Sequence, residues 1–293
     1  MSRNKLKGLL LSKTAINYKG KKSMKSMKNR KFKTYSVKGL ILVALAFVFL
    51  NLSWKTSNNT NQQPKNISKD TVTAQITDQV SFGNYVNTLY EETNLKASGL
   101  ALSVFEKAVT GFMNLKNDHA LSDTKSVVTI VDFTKPSTEK RMWIVDLKNK
   151  TLLLNTYVAH GQGSGGNMAT NFSNVAESHQ SSLGFYIASE TYFGKHGLSL
   201  KLDGQDKGVN DLARNRAIVV HGASYVSEDF IKSTGRLGRS FGCPAVPEAL
   251  NAKVIDLIKG KTCFFINGNS DKYQSNLLAT NTLDQNFSDV ASL

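Results

Sequence analysis

The chain has 293 residues, 40% of them apolar, which is enough for one large domain or two small ones with a hydrophobic core. Four prolines and 21 glycines exclude a low-complexity protein. The formal net charge of +15 resides in the N-terminus, because thirteen Lys and Arg lie between Arg3 and Lys38 and the rest of the chain sums to about +2. We therefore predict no nucleic-acid partner, and a basic arm that binds nucleic acid is the weaker interpretation.

The basic tail, 1–38, precedes a segment, 39–54, with the character of a membrane anchor or signal segment. Leu40–Leu50 is an unbroken apolar run of 11 residues. The whole segment would form roughly 24 Å of helix at ~1.5 Å per residue, which nearly crosses a bilayer. Positive charge before such a segment places the N-terminus in the cytoplasm and the remainder outside. We predict membrane contact through 39–54, and an uncleaved anchor, a cleaved signal and an internal core helix stay open.

Polar sequence follows the apolar segment. The stretch 55–79 is rich in Asn, Gln, Ser and Thr and has almost nothing to bury, which predicts a flexible tether. In 82–115, apolar residues recur at helical spacing, most clearly from Leu102 to Phe112. This pattern predicts a small helical lead-in, and the polar stretch 268–293 predicts a loosely ordered tail.

From Ser126 the pattern changes to short β-branched and aromatic runs separated by turn-rich connections. Two further helices are predicted, one from Ser227 as N-cap to Gly235 and one over 247–259 with Pro247 in its first turn. Seven short strands with few helices predict a mainly β fold, a barrel or a sandwich. The strand-forming runs are SVVTIVDF, RMWIVDL, TLLLNTYVA, LGFYIAS, LSLKLD, AIVV and TCFFIN.

Two glycine-rich motifs match known patterns only literally. Gly161–Gly166 fits G-x-G-x-x-G, but no helix opens at its third glycine and no acidic residue stands where the ribose partner belongs. Gly238–Gly242 fits the nucleophile elbow G-x-S-x-G, but all five histidines precede Ser240, whereas that fold places the histidine after the serine. Neither motif therefore predicts a cofactor or a serine nucleophile.

Cys243 and His221 are the remaining reactive pair. A thiol needs a lowered pKa or a base within reach to attack at neutral pH, and His221 ends the strand-like AIVV run, which would fix its position. Gly242 permits a close turn, and its N–H with that of Cys243 would face a developing oxyanion. A stray buried Cys near a structural His is the competing interpretation. A metal site with His160 lacks the close ligand spacing of structural zinc, so we predict no metal and no cofactor.

The stretch IVVHGASYVSEDFIKSTGRLGRSFGCPAV resembles the signature of the murein L,D-transpeptidase catalytic domains, the YkuD-like family. Their pattern is a His-Gly, a spacer and then Ser-x-Gly-Cys, which correspond here to His221-Gly222 and to Ser240 through Cys243. The upstream stretches VDFTKPSTEKRMWIVDLKNKTLLLNTYVAHGQGSG and SSLGFYIASETYFGKHGLSLKLDG also resemble one branch of the family. The resemblance covers roughly 82–267.

The resemblance implies a YkuD-like β-rich catalytic fold and a thioester mechanism. Cys243 would attack the carbonyl of the third residue of a peptidoglycan stem tetrapeptide. His221 would act as base and then as acid for the departing D-alanine, and the N–H of Gly242 would help to hold the oxyanion. An amine from a neighbouring stem would then form a cross-link. Water as the acceptor would make the enzyme an L,D-carboxypeptidase, and a catalytically inactive peptidoglycan-binding module is the alternative from another class.

This chain departs from the better-known branch at two positions. Ala245 stands where that branch has an arginine two residues after the cysteine, and Phe241 stands where it often has His or Arg. We predict that Arg236 or Arg239 supplies the missing charge. For His160, a solvated position in a loop is the alternative to a place in the cleft. The predicted substrate-binding residues are His160, Ser240, Arg236 and Arg239.

The predicted organisation places the enzyme on the outer side of the cytoplasmic membrane, in a bacterial envelope, where its stem-peptide partner is found. The enzyme is expected to be membrane-anchored or secreted. The predicted segments are a basic cytoplasmic tail (1–38), an anchor or signal segment (39–54), a tether (55–79), an L,D-transpeptidase-like catalytic domain (80–267) and a polar C-terminal tail (268–293).

Overall fold

Residues 82–280 are the part of the chain that the computed structural model describes. The basic tail, the anchor or signal segment and the tether predicted from the sequence lie outside these residues. Within 82–280, no helix combines the length and the apolar character that crossing a bilayer requires.

Eight strands form one sheet in the order β3-β2-β1-β8-β4-β5-β6-β7. The strands are β1 (Val127–Asp132), β2 (Met142–Asp146), β3 (Thr151–Thr156), β4 (Gly184–Gly194), β5 (Gly197–Gly204), β6 (Val219–Ala223), β7 (Ala245–Pro247) and β8 (Thr262–Asn267). The hairpins β1-β2-β3 and β4-β5-β6 are antiparallel, whereas β1 pairs with β8 and β6 with β7 in parallel. The sheet is therefore mixed, and β3 and β7 are its two edge strands.

The two edges of the sheet meet just beyond β3. Ala159, which follows β3, forms an isolated antiparallel bridge to Ala245 of β7. The Ala159 N–H donates to the Ala245 carbonyl at 2.8 Å, and the reverse bond spans 3.4 Å. This bridge gives the sheet a nearly closed, barrel-like form and confirms the predicted mainly β fold. All seven predicted strands are present, and β7 is an eighth that the sequence pattern missed.

Four α-helices accompany the sheet within the described residues: α1 (82–92), α2 (Leu102–Asn117), α3 (Glu228–Thr234) and α4 (Asn251–Ile258). The caps predicted for α3 are confirmed, since the Ser227 side chain accepts from the Phe230 N–H and Gly235 adopts φ +74°. The prediction for α4 is wrong at its start. Pro247 ends β7, and a 3₁₀ turn over Glu248–Leu250 intervenes before the α-helix begins.

Both faces of the sheet are buried, which explains why every residue of β1 and β8 is buried and most of them are apolar. Along β8, Cys263 and Phe265 belong to the core beneath α1 and α2, whereas Phe264 and Ile266 belong to the core that α4 covers. This alternation follows the two-residue period of a strand. The helical lead-in predicted from the sequence is thus an integral layer of the domain.

The segment after β8 is attached to the domain over 268–280, the part of the predicted polar tail that the structure describes. The Asn114 amide of α2 donates to the carbonyls of Leu277 and Ala279 at 2.8 and 3.0 Å. The buried carboxylate of Asp206 accepts from the Ser275 hydroxyl at 2.5 Å, and burial raises its pKa. The polar composition of this segment predicts only that it is exposed to solvent. The structure shows that buried side chains of the domain hold it by hydrogen bonds.

Gly111 is a point of close approach between α2 and the sheet. A Cβ atom there would lie 2.1 Å from two carbons of the Phe185 ring. We expect Gly111→Ala to lower the free energy of unfolding by about 2 kcal/mol, because overpacking exceeds the gain of about 1 kcal/mol in helix propensity. Chemical denaturation followed by circular dichroism measures the change. Gly83→Ala in α1 is the matched control, since open space surrounds it, and it should stabilise by ~0.5 kcal/mol. Equal stabilisation by both substitutions would contradict the predicted contact.

Candidate active site

A cleft of about 560 Å³ opens beside the end of β6 and contains both Cys243 and His221. Its walls come from the loop before β4, the end of β4 with the turn into β5, β6 with the segments on either side of it, and the segment before β7. The residues that line it are Ala176, Glu177, His179, Tyr192, Lys195, His196, Asn215, Arg216, Ala217, Val219, His221, Tyr225, Arg239, Ser240, Phe241 and Cys243. The structure thus brings the predicted nucleophile and base to one cavity.

A tight turn places Cys243 two residues before β7. Gly242 has φ +125°, a conformation that favours glycine, and a Cβ there would lie 2.9 Å from the Gln180 carbonyl oxygen. The Ser240 hydroxyl holds the turn, because it accepts from the Gly242 N–H at 3.1 Å and donates to the Cys243 carbonyl at 2.6 Å. The predicted oxyanion role of the Gly242 N–H does not fit this arrangement, since that donor is already bonded. Gly242 contributes the backbone conformation instead.

Cys243 is half-buried, in an environment that favours the protonated form of its thiol. Its Sγ lies 3.4 Å from the Val219 N–H and 3.6 Å from the Ala217 carbonyl, to which the thiol donates. Burial raises the pKa of the thiol, while the Val219 N–H and the cations of Arg216 and Lys195 act in the opposite direction. A base is therefore needed to remove the proton when the sulfur attacks.

His221 lies in β6 and is nearly fully buried. Its Nδ1 is 2.9 Å from the Gly222 carbonyl, which can only accept, so Nδ1 carries the proton and Nε2 is left as the basic nitrogen. Burial lowers the pKa of His221, and the neighbouring His196 and Lys195 lower it further, against the bond to Gly222. The imidazole is thus neutral near pH 7 and able to accept a proton. His196 stacks on it with 4.4 Å between ring centroids.

The four predicted substrate-binding residues separate into two groups. Ser240 and Arg239 line the cleft, but Ser240 is engaged in the turn and the Arg239 guanidinium donates to the carbonyls of Gln162 and Gly165. Arg236 is not a cleft residue, and its guanidinium donates to the adjacent Leu237 carbonyl.

His160 does not line the cleft either, and the structure places it in the interior behind the Ser240 turn. Its ring is fully buried, and its Nδ1 lies 2.8 Å from the buried guanidinium of Arg141. Burial and then the charge of Arg141 lower its pKa to about 4. Its backbone carbonyl accepts from the Ser240 N–H at 3.0 Å. His160 thus supports the backbone beneath the site, and neither the cleft contact nor the solvated loop position suggested by the sequence fits this environment.

The glycine-rich stretch 161–166 forms part of the same support. It contains a 3₁₀ turn over Gln162–Ser164, and no α-helix follows. Gly161 bridges to Ser240, and the Gln162 N–H donates to the Ser240 carbonyl at 2.8 Å. The stretch therefore holds the turn before Cys243, in keeping with the absence of a dinucleotide-binding helix from the sequence pattern.

Arg216 is a cleft residue that sequence analysis missed. Its guanidinium donates to the carbonyls of Ser173 and Gln180 at 2.7 and 2.6 Å, and to the Ser182 hydroxyl at 2.5 Å. These bonds attach the 173–182 loop, one wall of the cleft, to the segment that precedes β6. The only signal in the sequence was a basic residue just before a strand ending in histidine, which is too common to identify a site.

The turn between β4 and β5 supplies two further cleft residues, Lys195 and His196. Ser199 of β5 pairs with His221 of β6, so this turn lies beside the imidazole. Tyr225 also lines the cleft, and burial followed by the proximity of Cys243 raises its pKa to about 12. The sequence predicted the two strands that flank this turn, from LGFYIAS and LSLKLD, but it predicted neither their pairing nor their position beside β6.

Comparison with known proteins identifies the family. The family model described as "L,D-transpeptidase catalytic domain" (YkuD_2) matches residues 96–267, more than half of the chain. The chain belongs to this family, which confirms the resemblance found in the sequence. No curated protein matches the chain.

Several solved structures also match. An L,D-transpeptidase from Mycobacterium smegmatis is 11% identical over 49% of this chain and 59% of that one, with a TM-score of 0.31. The helical cell shape determining protein Pgp2 from Campylobacter jejuni is 11% identical over 62% and 66%, with a TM-score of 0.35. An L,D-transpeptidase from Stackebrandtia nassauensis is 14% identical over 64% and 78%, with a TM-score of 0.31. The chain spans less than two thirds of the length of the first of these proteins.

The protonation of Cys243 can be measured by alkylation. In substrate-free protein we expect the rate with iodoacetamide to keep rising beyond pH 9.0, the ordinary pKa of a cysteine, because burial raises the pKa of this thiol. Quenched samples analysed by mass spectrometry give the rate. Cys243→Ala is the control, since it leaves only the fully buried Cys263. A rate that is already constant at pH 7 would indicate a resting thiolate and contradict the prediction.

Arg216 combines a charge near the thiol with bonds to the 173–182 loop, and two substitutions separate these contributions. We expect Arg216→Gln to accelerate hydrogen exchange in this loop and to shift the alkylation profile of Cys243 to higher pH. Arg216→Lys should accelerate exchange as well, because an ammonium lacks the planar fork of donors, but it should shift the profile much less. Arg236→Gln is the matched control and should change neither measurement. Unaltered exchange in both Arg216 variants would show that the loop does not depend on these bonds.

Proposed function

We propose that this chain is a peptidoglycan L,D-transpeptidase that acts through a thioester on Cys243. The observation that supports this most strongly is that one cleft contains a thiol and an imidazole whose Nδ1 is bonded to the Gly222 carbonyl. Membership of the L,D-transpeptidase catalytic domain family supports the same reaction class, because the match includes both residues.

In the first half of the reaction, Cys243 attacks the carbonyl carbon of the third residue of a stem tetrapeptide. The thiol proton passes to Nε2 of His221 as the C–S bond forms. The tetrahedral intermediate then breaks its C–N bond, and the imidazolium returns the proton to the departing amine of D-alanine. A neutral thiol and a neutral imidazole are suitable for this sequence, because the proton moves only during attack.

Charge developing on the carbonyl oxygen needs a hydrogen-bond donor. With the Gly242 N–H bonded to Ser240, we assign this role to the N–H of Cys243 itself. No backbone carbonyl among the described residues accepts from this N–H. Its interaction with the Cys243 sulfur favours the thiolate and so lowers the pKa of the thiol. Ser240 therefore acts indirectly, by holding the turn that directs the Cys243 N–H.

In the second half, an amine from a neighbouring stem attacks the thioester carbon. His221 accepts a proton from this amine, the C–S bond breaks, and the thiol is restored with a new peptide cross-link. The substrate lies in the wall outside the cytoplasmic membrane, so we propose that the domain works there, attached or secreted through 39–54. Water in place of the amine would give the L,D-carboxypeptidase reaction.

The reaction is tested with the purified full chain, a disaccharide-tetrapeptide and an amine acceptor, with products followed by mass spectrometry. We expect release of D-alanine, a cross-linked dimer and, in short incubations, an acyl-enzyme mass on Cys243. Cys243→Ala should abolish all three, and His221→Gln should lower turnover at least ~100-fold, as loss of a general base does.

Two matched controls accompany this assay. Cys263→Ala removes the other cysteine, and His119→Gln removes an exposed histidine; both should retain turnover. D-alanine release without dimer would establish the carboxypeptidase. If the substrate binds but neither product forms, and if Cys243→Ala leaves binding unchanged, the result would support a peptidoglycan-binding module in place of an enzyme.

A further inference from the structure

The charges that line the cleft are mostly positive. Among the described lining residues, the cations are Lys195, Arg216 and Arg239, and the single carboxylate is Glu177. Glu177 is almost fully exposed and lies 3.8 Å from the His179 ring nitrogen. The cleft is therefore suited to an anionic ligand, and the question is which cation can contact it.

The two arginines have internal partners. Both terminal nitrogens of Arg216 donate to the 173–182 loop, and Arg239 donates to the carbonyls of Gln162 and Gly165. Lys195, in contrast, has no hydrogen bond or ion pair with any other described residue. Its ammonium can therefore bind a ligand without losing an existing contact.

Backbone geometry holds Lys195 beside the reacting groups. It forms the hairpin turn with His196, closed by the pairing of Gly194 with Gly197, and the His196 ring stacks on the imidazole of His221. Burial raises the pKa of the Cys243 thiol and lowers that of His221, and the ammonium of Lys195 lowers both. One charge thus acts on the nucleophile and on the base together.

The chemistry of the leaving group identifies the anion. In the proposed reaction, His221 returns a proton to the amine nitrogen of the departing residue. The α-carboxylate of that residue is attached to the carbon next to this nitrogen, so it lies within a few ångströms of the imidazole whenever the proton is transferred. Lys195 lines the same cleft and adjoins His196, whose ring stacks on this imidazole, so its ammonium is in the right region to meet the carboxylate.

We propose that Lys195 binds the C-terminal α-carboxylate of the residue that the enzyme releases. This inference rests on the proposed function and adds a specificity to it. A tetrapeptide that is amidated at its C-terminus lacks the charge that Lys195 would bind, so we expect it to be a poorer substrate.

The test compares a tetrapeptide acid with its C-terminal amide, using the full chain and the variants Lys195→Met and Lys195→Arg. The wild type should favour the acid about tenfold in kcat/KM, as a charge-assisted hydrogen bond in an open cleft allows. Lys195→Met should lower turnover of the acid far more than that of the amide, so that the preference approaches one. Lys195→Arg should keep most of the wild-type preference for the acid. Lys253→Met in α4 removes an equal charge away from the cleft and should leave the preference unchanged.

The ratio of the two substrates separates binding from an effect on the thiol. A changed pKa of Cys243 or His221 alters both substrates alike and cancels in the ratio. An unaltered preference in Lys195→Met, or no preference in the wild type, would overturn the proposal.

A failure of the proposed function is recognised separately, by calorimetric binding of both peptides to Cys243→Ala. Preferential binding of the acid that Lys195→Met removes would keep the assignment even without turnover. Equal or absent binding together with absent turnover would reject both proposals.

Discussion

The short parallel pairing of β7 with β6 is the constraint on which the site depends. Ala245 is opposite His221 in the register of the two strands and opposite Ala159 in the bridge that closes the sheet. Because Cys243 is only two residues before Ala245, the same backbone contacts that close the barrel also determine how far the thiol lies from the imidazole. Loss of this pairing would open the barrel and separate the two groups in one event.

The burial of Cys243 and His221 determines the electrostatics of the site. Removing a thiol and an imidazole from water favours their neutral forms, which raises the pKa of Cys243 and lowers that of His221. A permanent thiolate–imidazolium pair would need stronger stabilisation than the Val219 N–H and two nearby cations supply. The resting site is therefore uncharged at its centre and cationic at its edge. In such a site, an anionic substrate brings the negative charge that the cleft lacks.

Much of the fold could be predicted from the sequence, because strands buried on both faces are recognisable as apolar, β-branched runs. The three residues of β7 could not, since their strand character comes from pairing with β6 and Ala159 and not from their own composition, and Pro247 is equally typical of a helix start. The nucleophile and base were predicted from a local motif. Arg216 and Lys195 were not, because they belong to separate loops that only the order of the strands brings to one cleft. His160 and Arg236 were misplaced for the same reason.

The burial of Ala245 explains why the charge near the thiol must come from another part of the chain. Its side chain is fully buried among small and aliphatic residues, in a cluster with Ala159, Ala223, Val226 and Leu237. An arginine there would bring a guanidinium into an apolar environment without a partner, at a large cost in desolvation. With that position closed to charge, a cation that serves the reacting groups has to approach from the open side of the cleft. The β4–β5 turn is on that side, and its Lys195 lines the same cleft as His221.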